Sequence, residues 1–225
     1  MMAAFLKIAS ASLMYAVTLW SVSIFAMAGR GVQILVARAM NILLENSQKK
    51  SLRICDTTTS CMLEKWKAQA GTIRNVAGEG GRIKIKNAYR NSLAILTTRL
   101  PNSAEKDRII FALFLIDTVY EGDVNTSGYV SAQSKYRLSF SIEEARNLLY
   151  WKYHANKNSP SKPAWGTGLF RYVPLDEGVQ ILRDAIRIKT GTTDEALARE
   201  FLDTYCRLNR LIPKSIGDPA GALLR

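Results

Sequence analysis

A chain of 225 residues, 48% hydrophobic and 22% charged, is long enough to bury its own core and too apolar for wholesale disorder. Its 31 Lys and Arg against 19 Asp and Glu leave a formal charge of +12, which favours anionic partners such as an acidic protein, lipid head groups, a wall polymer or nucleic acid. The single histidine excludes mechanisms that need two, and G-x-S-x-G, G-x-x-x-x-G-K-[ST] and C-x-x-C are all missing, so a nucleophile elbow, a P-loop and a dithiol redox centre have no signature.

Lys7 is the one charged side chain before 21 uncharged positions, Ile8 to Ala28, which end Ala26-Met27-Ala28. Small residues around Met27 suit a signal peptidase, so residues 1–28 read first as a signal peptide cut after Ala28. An exported body, periplasmic or extracellular, follows from that reading. A retained anchor is the second reading, since 21 uncharged residues can span a bilayer. Arg30, Arg38, Lys49, Lys50 and Arg53 would then hold the body on the cytoplasmic side. An organellar presequence is the third, because no acidic residue precedes Glu45. In an oxidising compartment the stretch "CDTTTSC" allows a Cys55–Cys61 disulfide, leaving Cys206 over.

Helical spacing dominates the rest. Apolar residues from Val32 predict a helix to about Lys50, and Ser60 is a fitting N-cap for another ending near Ala77. Gly78 to Gly81 break the chain. The segment "RIKIKNAYRNSLAILTTRL" begins with strand-like alternation. Its longer pattern places Ile85, Tyr89, Leu93 and Leu96 on one helical stripe and Arg82, Lys86 and Arg90 on another, and predicts a helix. Asn102 and Glu105 suggest a capping box, followed by the unbroken apolar run Ile109 to Ile116, read as a central buried helix. Polar residues 122–140 read as a long loop or a short β-hairpin near 123–140. Ser141 and Glu144 cap a helix to about Ala155, and Pro160, Pro163, Gly166 and Gly168 mark a loop. Leu175, Val179, Leu182 and Ile186 form a further stripe stopped by Gly191. Thr192 and Glu195 open the last helix, where Leu197, Phe201, Tyr205, Leu208 and Ile212 face inward. The expected fold is all-α, one domain of about seven helices over 29–212 with an irregular tail at 213–225.

Three groups of residues could carry function. Arg82, Lys84, Lys86 and Arg90, beside Tyr89 and the glycine turn, form a basic cluster suited to phosphate or carboxylate. The aromatic and basic stretch "LLYWKYH", with Trp165, Phe170, Arg171 and Tyr172, suits stacked sugars or bases, although core packing of Tyr150 and Trp151 accounts for it more simply. His154 reads as a surface residue near a helix end. Three cysteines and His154 would fill a zinc site by number, but nothing in their spacing supports one, and no metal or cofactor is expected. The third candidate is Glu121 in "DTVYEGDVNTSGY", a carboxylate ending an apolar helix, with Asp123 beside it.

The order of Glu121-Gly122 after an apolar run, then "IEEARNLLYWKY", then "GVQILRDAI", resembles phage-type muramidases of the lysozyme superfamily. That resemblance implies a peptidoglycan-cleaving glycoside hydrolase with Glu121 as general acid. The reading favoured on charge is a non-catalytic exported protein that binds an acidic protein, an anionic lipid surface or a wall polymer through Arg82, Lys84, Lys86 and Arg90. A nucleic-acid partner is disfavoured for an exported chain. The remaining alternative is a structural subunit of a membrane complex, held in the bilayer by residues 8–28.

Overall fold

The computed structural model describes residues 24–25, 34–39, 59–74, 80–166 and 170–225. In chain order the first elements are β1 (Ile24–Phe25), β2 (Ile34–Ala39), α1 (Thr59–Lys65), β3 (Lys67–Gln69), β4 (Thr72–Arg74), β5 (Gly80–Arg82) and β6 (Leu93–Thr98). Then come β7 (Ile109–Leu115), β8 (Thr118–Gly122), β9 (Ser127–Ser131), β10 (Arg137–Ser139), α2 (Ile142–Ala145) and α3 (Tyr150–Tyr153). The chain closes with β11 (Phe170–Val173), α4 (Leu175–Lys189) and α5 (Glu195–Asn209). The fold is mixed α/β, which corrects the all-α expectation.

Strands β6 and β7 explain the correction. Every residue of both is buried, as happens when a strand is covered on its two faces, and such strands lose the polar alternation that marks a half-exposed one. An unbroken run such as "IIFALFL" has no period that separates strand from buried helix, and its Ile and Phe content favours the strand. The two pair antiparallel from Leu93↔Leu115 to Thr98↔Ile109, with a register shift at Leu96/Thr97. They sit inside a six-stranded sheet of order β1-β11-β2-β6-β7-β10. The helix expected from Val32 thus contains β2, which lies parallel to β6.

Alternation along β6 and β7 divides the core between two faces. Leu93, Ile95, Leu113 and Leu115 meet Val179, Leu182 and Ala185 of α4 and Ala198, Phe201 and Tyr205 of α5. Each large side chain fully buried there contributes about 1.5–3 kcal/mol. On the other face, Ala94, Leu96, Ala112 and Phe114 meet Met62, Ala70, Ile85 and a three-stranded antiparallel sheet, β3-β9-β8, through Ala68 and Val130. The helix expected from Ser60 to Ala77 stops at Lys65, where Trp66 takes a left-handed φ of 44° and the chain turns into β3.

The Ser141–Glu144 box forms: Glu144 N–H donates to Ser141 Oγ at 3.2 Å and Ser141 N–H to Glu144 Oε2 at 2.8 Å. The helix it opens does not reach Ala155. Instead Leu148 and Tyr150 exchange backbone bonds with Ile110 and Arg108, both 2.8 Å, which hold this segment on the edge of β7. The capping pair expected at Asn102 and Glu105 becomes a single 3₁₀ turn, Glu105–Asp107. At the C-terminus, Gly221 packs so closely on the Trp151 and Lys152 backbone that a Cβ would collide with it.

Apart from Ile24–Phe25, the leader expected at 1–28 lies outside the described residues. Those two pair in parallel with Phe170–Tyr172, so two residues of the stretch read as a leader supply an edge strand of the sheet. Among the described residues no helix is long and apolar enough to cross a membrane. Cys55 and the Cys61 side chain lie outside the described residues. Among those described there is no disulfide, and Cys206 is a buried free thiol whose pKa burial pushes up to about 11.

Candidate functional site: a basic and aromatic face

Residues 82–86 run extended, so alternation rather than a four-residue repeat sorts their side chains. Arg82, Lys84 and Lys86 are exposed on one side, Ile83 is half-buried and Ile85 is fully buried in the core. Two backbone bonds pin this strip across the ends of β8 and β9: Ile85 N–H donates to the Glu121 carbonyl and Gly128 N–H to the Ile83 carbonyl, each at 2.8 Å. The crossing is tight enough that a Cβ on Gly128 would strike the backbone of both Glu121 and Ile85. Farther along, Asn87 N–H donates to the Tyr172 hydroxyl at 3.0 Å, and Tyr89 is 49% exposed beside the exposed Arg90.

The strip adjoins an aromatic platform that sequence reasoning did not single out. Tyr120 and Tyr129 stand directly opposite in the β8–β9 register, their ring centroids 5.2 Å apart. Lys67 Nζ lies 3.6 Å from the Tyr129 ring centroid, inside cation–π range. The Tyr120 hydroxyl donates to Asp123 Oδ2, while Asp123 Oδ1 accepts from Asn125 N–H at 2.7 Å and Thr126 N–H at 2.6 Å. The bond from Tyr120 holds the Asp123 carboxyl below its ordinary pKa, helped by the Thr126 and Asn125 amides and by the nearby charge of Lys84. Tyr120 is raised in turn by the same bond. Partial burial lowers the Lys67 pKa, and Lys65 adds to this by like-charge repulsion. Lys84 and Tyr120 thus approach one carboxylate, which joins strip and platform into one surface. The signal for it was the alternation of "TVYEG" and "SGYVS" about a D-x-N-T turn.

Of the expected residues, Arg82, Lys84, Lys86 and Arg90 are all exposed, the first three on one edge. Glu121 does not end a helix. It is an exposed residue of β8 whose carbonyl anchors the basic strip, and Asp123 organises the hairpin turn. The helix order behind the muramidase resemblance gives way to strands across 109–131. His154 is not a surface residue: its Nδ1 lies 3.1 Å from Glu177 Oε1, with both side chains mostly buried. Tyr150, Trp151, Trp165 and Arg171 are buried within or against the helix-side core, away from the basic strip. Among the described residues no three His, Cys, Asp or Glu side chains are grouped to hold a metal ion. No protein-family model, curated protein or solved structure matches this chain.

Proposed function

We propose that this protein is a non-catalytic polyanion-binding module whose partner is single-stranded nucleic acid, held on the face formed by Arg82, Lys84, Lys86, Tyr120, Tyr129 and Lys67. The observation that carries this reading is the paired Tyr120–Tyr129 platform, with Lys67 over one ring, adjoining an extended row of cations. Cations alone would serve an acidic protein or lipid equally well. Aromatic faces among them add stacking, which bases supply and acidic side chains do not. The net charge of +12 favours the same class of partner through long-range attraction. Arg90 and Tyr89 extend the surface beyond the platform.

Fluorescence anisotropy of a labelled oligothymidine tests the proposal. Binding should weaken steeply with salt, as counterion release requires. Tyr129→Ala should remove about 1–3 kcal/mol of affinity, the value of one stacked base, while poly-glutamate binding changes little. If poly-glutamate or phosphatidylserine vesicles bind as tightly as the oligonucleotide and are indifferent to Tyr129, the partner is another polyanion.

A further inference from the structure

Across the central sheet from the basic strip, Arg108 is fully buried. Its Nε and Nη2 grip the Glu105 carboxylate at 2.6 and 2.8 Å, and Glu105 Oε1 also accepts from Trp151 Nε1 at 3.2 Å. The guanidinium stacks on Trp165, 4.5 Å from the ring centroid. Nη1, on the opposite edge from Glu105, is buried and has no hydrogen-bond partner among the described residues. Tyr150 adds a phenol ring 5.4 Å from Trp165 and 5.0 Å from Trp151, and burial drives its hydroxyl pKa well above the ordinary value.

A buried guanidinium N–H without an acceptor is costly to keep, so its persistence needs a reason. The cluster holds two guanidiniums, Arg108 and Arg171, the latter 5.3 Å from the Trp165 ring centroid, and the carboxylates of Glu105 and Glu177 already face them, so no net positive charge is left for a further anion. A neutral acceptor oxygen needs none. Walls made of indole and phenol faces suit a flat molecule.

Trp165 is the wall nearest solvent: Gly166 beside it is exposed, and Pro163 and Ala164 are half-buried. Asn156 Nδ2 fastens this segment by donating to the carbonyls of Lys162 at 3.0 Å and Ala164 at 2.9 Å. Arg171 Nη2 donates to the carbonyls of Ala164, at 3.0 Å, and Trp165, while its Nη1 donates to Asn156 Oδ1. Among the described residues, 162–166 lie in neither a strand nor a helix, and these side-chain bonds help to hold them over Arg108.

We infer that the Arg108–Trp165–Tyr150 cluster is a binding site for a neutral planar heterocycle with a ring or exocyclic carbonyl, which accepts from Arg108 Nη1 when Trp165 swings aside. This inference does not depend on the nucleic-acid reading, because the cluster lies on the other side of the sheet.

The test is a titration of the full chain with uracil and nicotinamide, and with benzoate and inorganic phosphate as anionic counterparts, read by tryptophan fluorescence and by ligand-observed NMR. Uracil or nicotinamide should bind with a Kd of about 1 mM or below and perturb the indole emission. Arg108→Lys should weaken binding at least about tenfold. Because that variant could misfold, Trp165→Phe provides a second reading: it keeps the cover apolar, should leave the circular dichroism spectrum unchanged, and should abolish most of the fluorescence response while NMR still detects binding. Asn156→Ala, which loosens the cover, should speed association. No binding by either neutral probe, tighter binding of benzoate or phosphate, or an unchanged Kd in a folded Arg108→Lys would each overturn the inference. The last result would leave a structural water as the partner of Nη1.

Discussion

The face of the central sheet that carries α4 and α5 buries the large rings of Tyr150, Trp151, Phe201 and Tyr205, whereas the opposite face mixes Phe111 and Phe114 with the small side chains of Ala68, Ala70, Ala88, Ala94, Ala112 and Ala132. Large aromatics separate the sheet from its helices, and charged groups such as Arg108, Asp184 and Lys189 are buried with partners between them. Alanines allow the small β3-β9-β8 sheet and the extended strip 82–86 to lie close on the other side, with the charges of Arg82, Lys84 and Lys86 left in solvent. One face is built for stability and the other holds a thin, cation-bearing layer near the surface. Substitutions on the two faces should therefore separate folding from binding.

The largest effect should come from the helix side. Phe201→Ala removes a fully buried ring that also packs against Tyr136 at 5.6 Å, and should cost about 3–5 kcal/mol in a urea melt, with oligonucleotide affinity retained wherever the protein is still folded. On the other face, Gly128→Ala forces a Cβ against the Glu121 and Ile85 backbone. It should cost less, about 1–3 kcal/mol, yet weaken binding because it lifts the basic strip from β8 and β9. Equal loss of binding in both variants would break the division between the faces.

Two carboxylates on α4 give the helix side a pH response of its own. Burial opposes ionisation of Asp184, but bonds from Lys152 Nζ and the Tyr153 hydroxyl, both 2.6 Å, outweigh it and hold the pKa below its ordinary 3.8. A depressed folded value means stability fully present above pH 3.8 and lost as the pH falls from there through the lower folded value. Glu177 has the opposite sign: burial raises it above 4.5 despite the bond from His154. Its contribution is full below pH 4.5 and declines as the pH rises through the raised value. Asp184→Asn should flatten the acid limb and cost about 1–2 kcal/mol at neutral pH, less than a wholly buried pair because Lys152 and Arg187 reach solvent. Glu177→Gln should remove the decline above pH 4.5. Denaturant melts between about pH 3 and pH 8 measure both slopes.

The helix side was also the more legible in sequence. Val179 and Leu182, from the expected α4 stripe, and Phe201 and Tyr205, from the α5 stripe, are all buried, because an amphipathic helix facing a core keeps its period. The stripe ran too far in α5, where Leu208 is partly exposed and Ile212 lies beyond the helix, 69% exposed. The sheet was illegible for the opposite reason: "LAILTT" and "IIFALFL" are covered on both faces and carry no period. In residues 82–86 the short alternation was the correct signal, and the longer helical stripe was an accident of Tyr89 and Leu93 falling in step across the turn at Asn91, whose φ is 69°. The basic residues were visible as types. Their neighbours Lys67, Tyr120 and Tyr129 were not, because only strand pairing brings residues so far apart in sequence onto one surface.

The smallest predicted effect is also the most specific to the binding face. Lys84 is exposed, and among the described residues its side chain makes no hydrogen bond or ion pair, although its charge lies close to Asp123. Lys84→Gln should therefore leave the urea midpoint unchanged. If Lys84 neutralises one phosphate of a bound single strand, the slope of log Kobs against log salt should become shallower by about 0.7, with affinity for all base compositions reduced alike. Tyr129→Ala should do the reverse, weakening affinity with little change in slope, since stacking releases no counterion. The two variants together separate the electrostatic part of the surface from its aromatic part. A slope unmoved by Lys84→Gln, with affinity still lost, would mean that Lys84 acts only by setting the charge and position of Asp123 and, through it, of Tyr120.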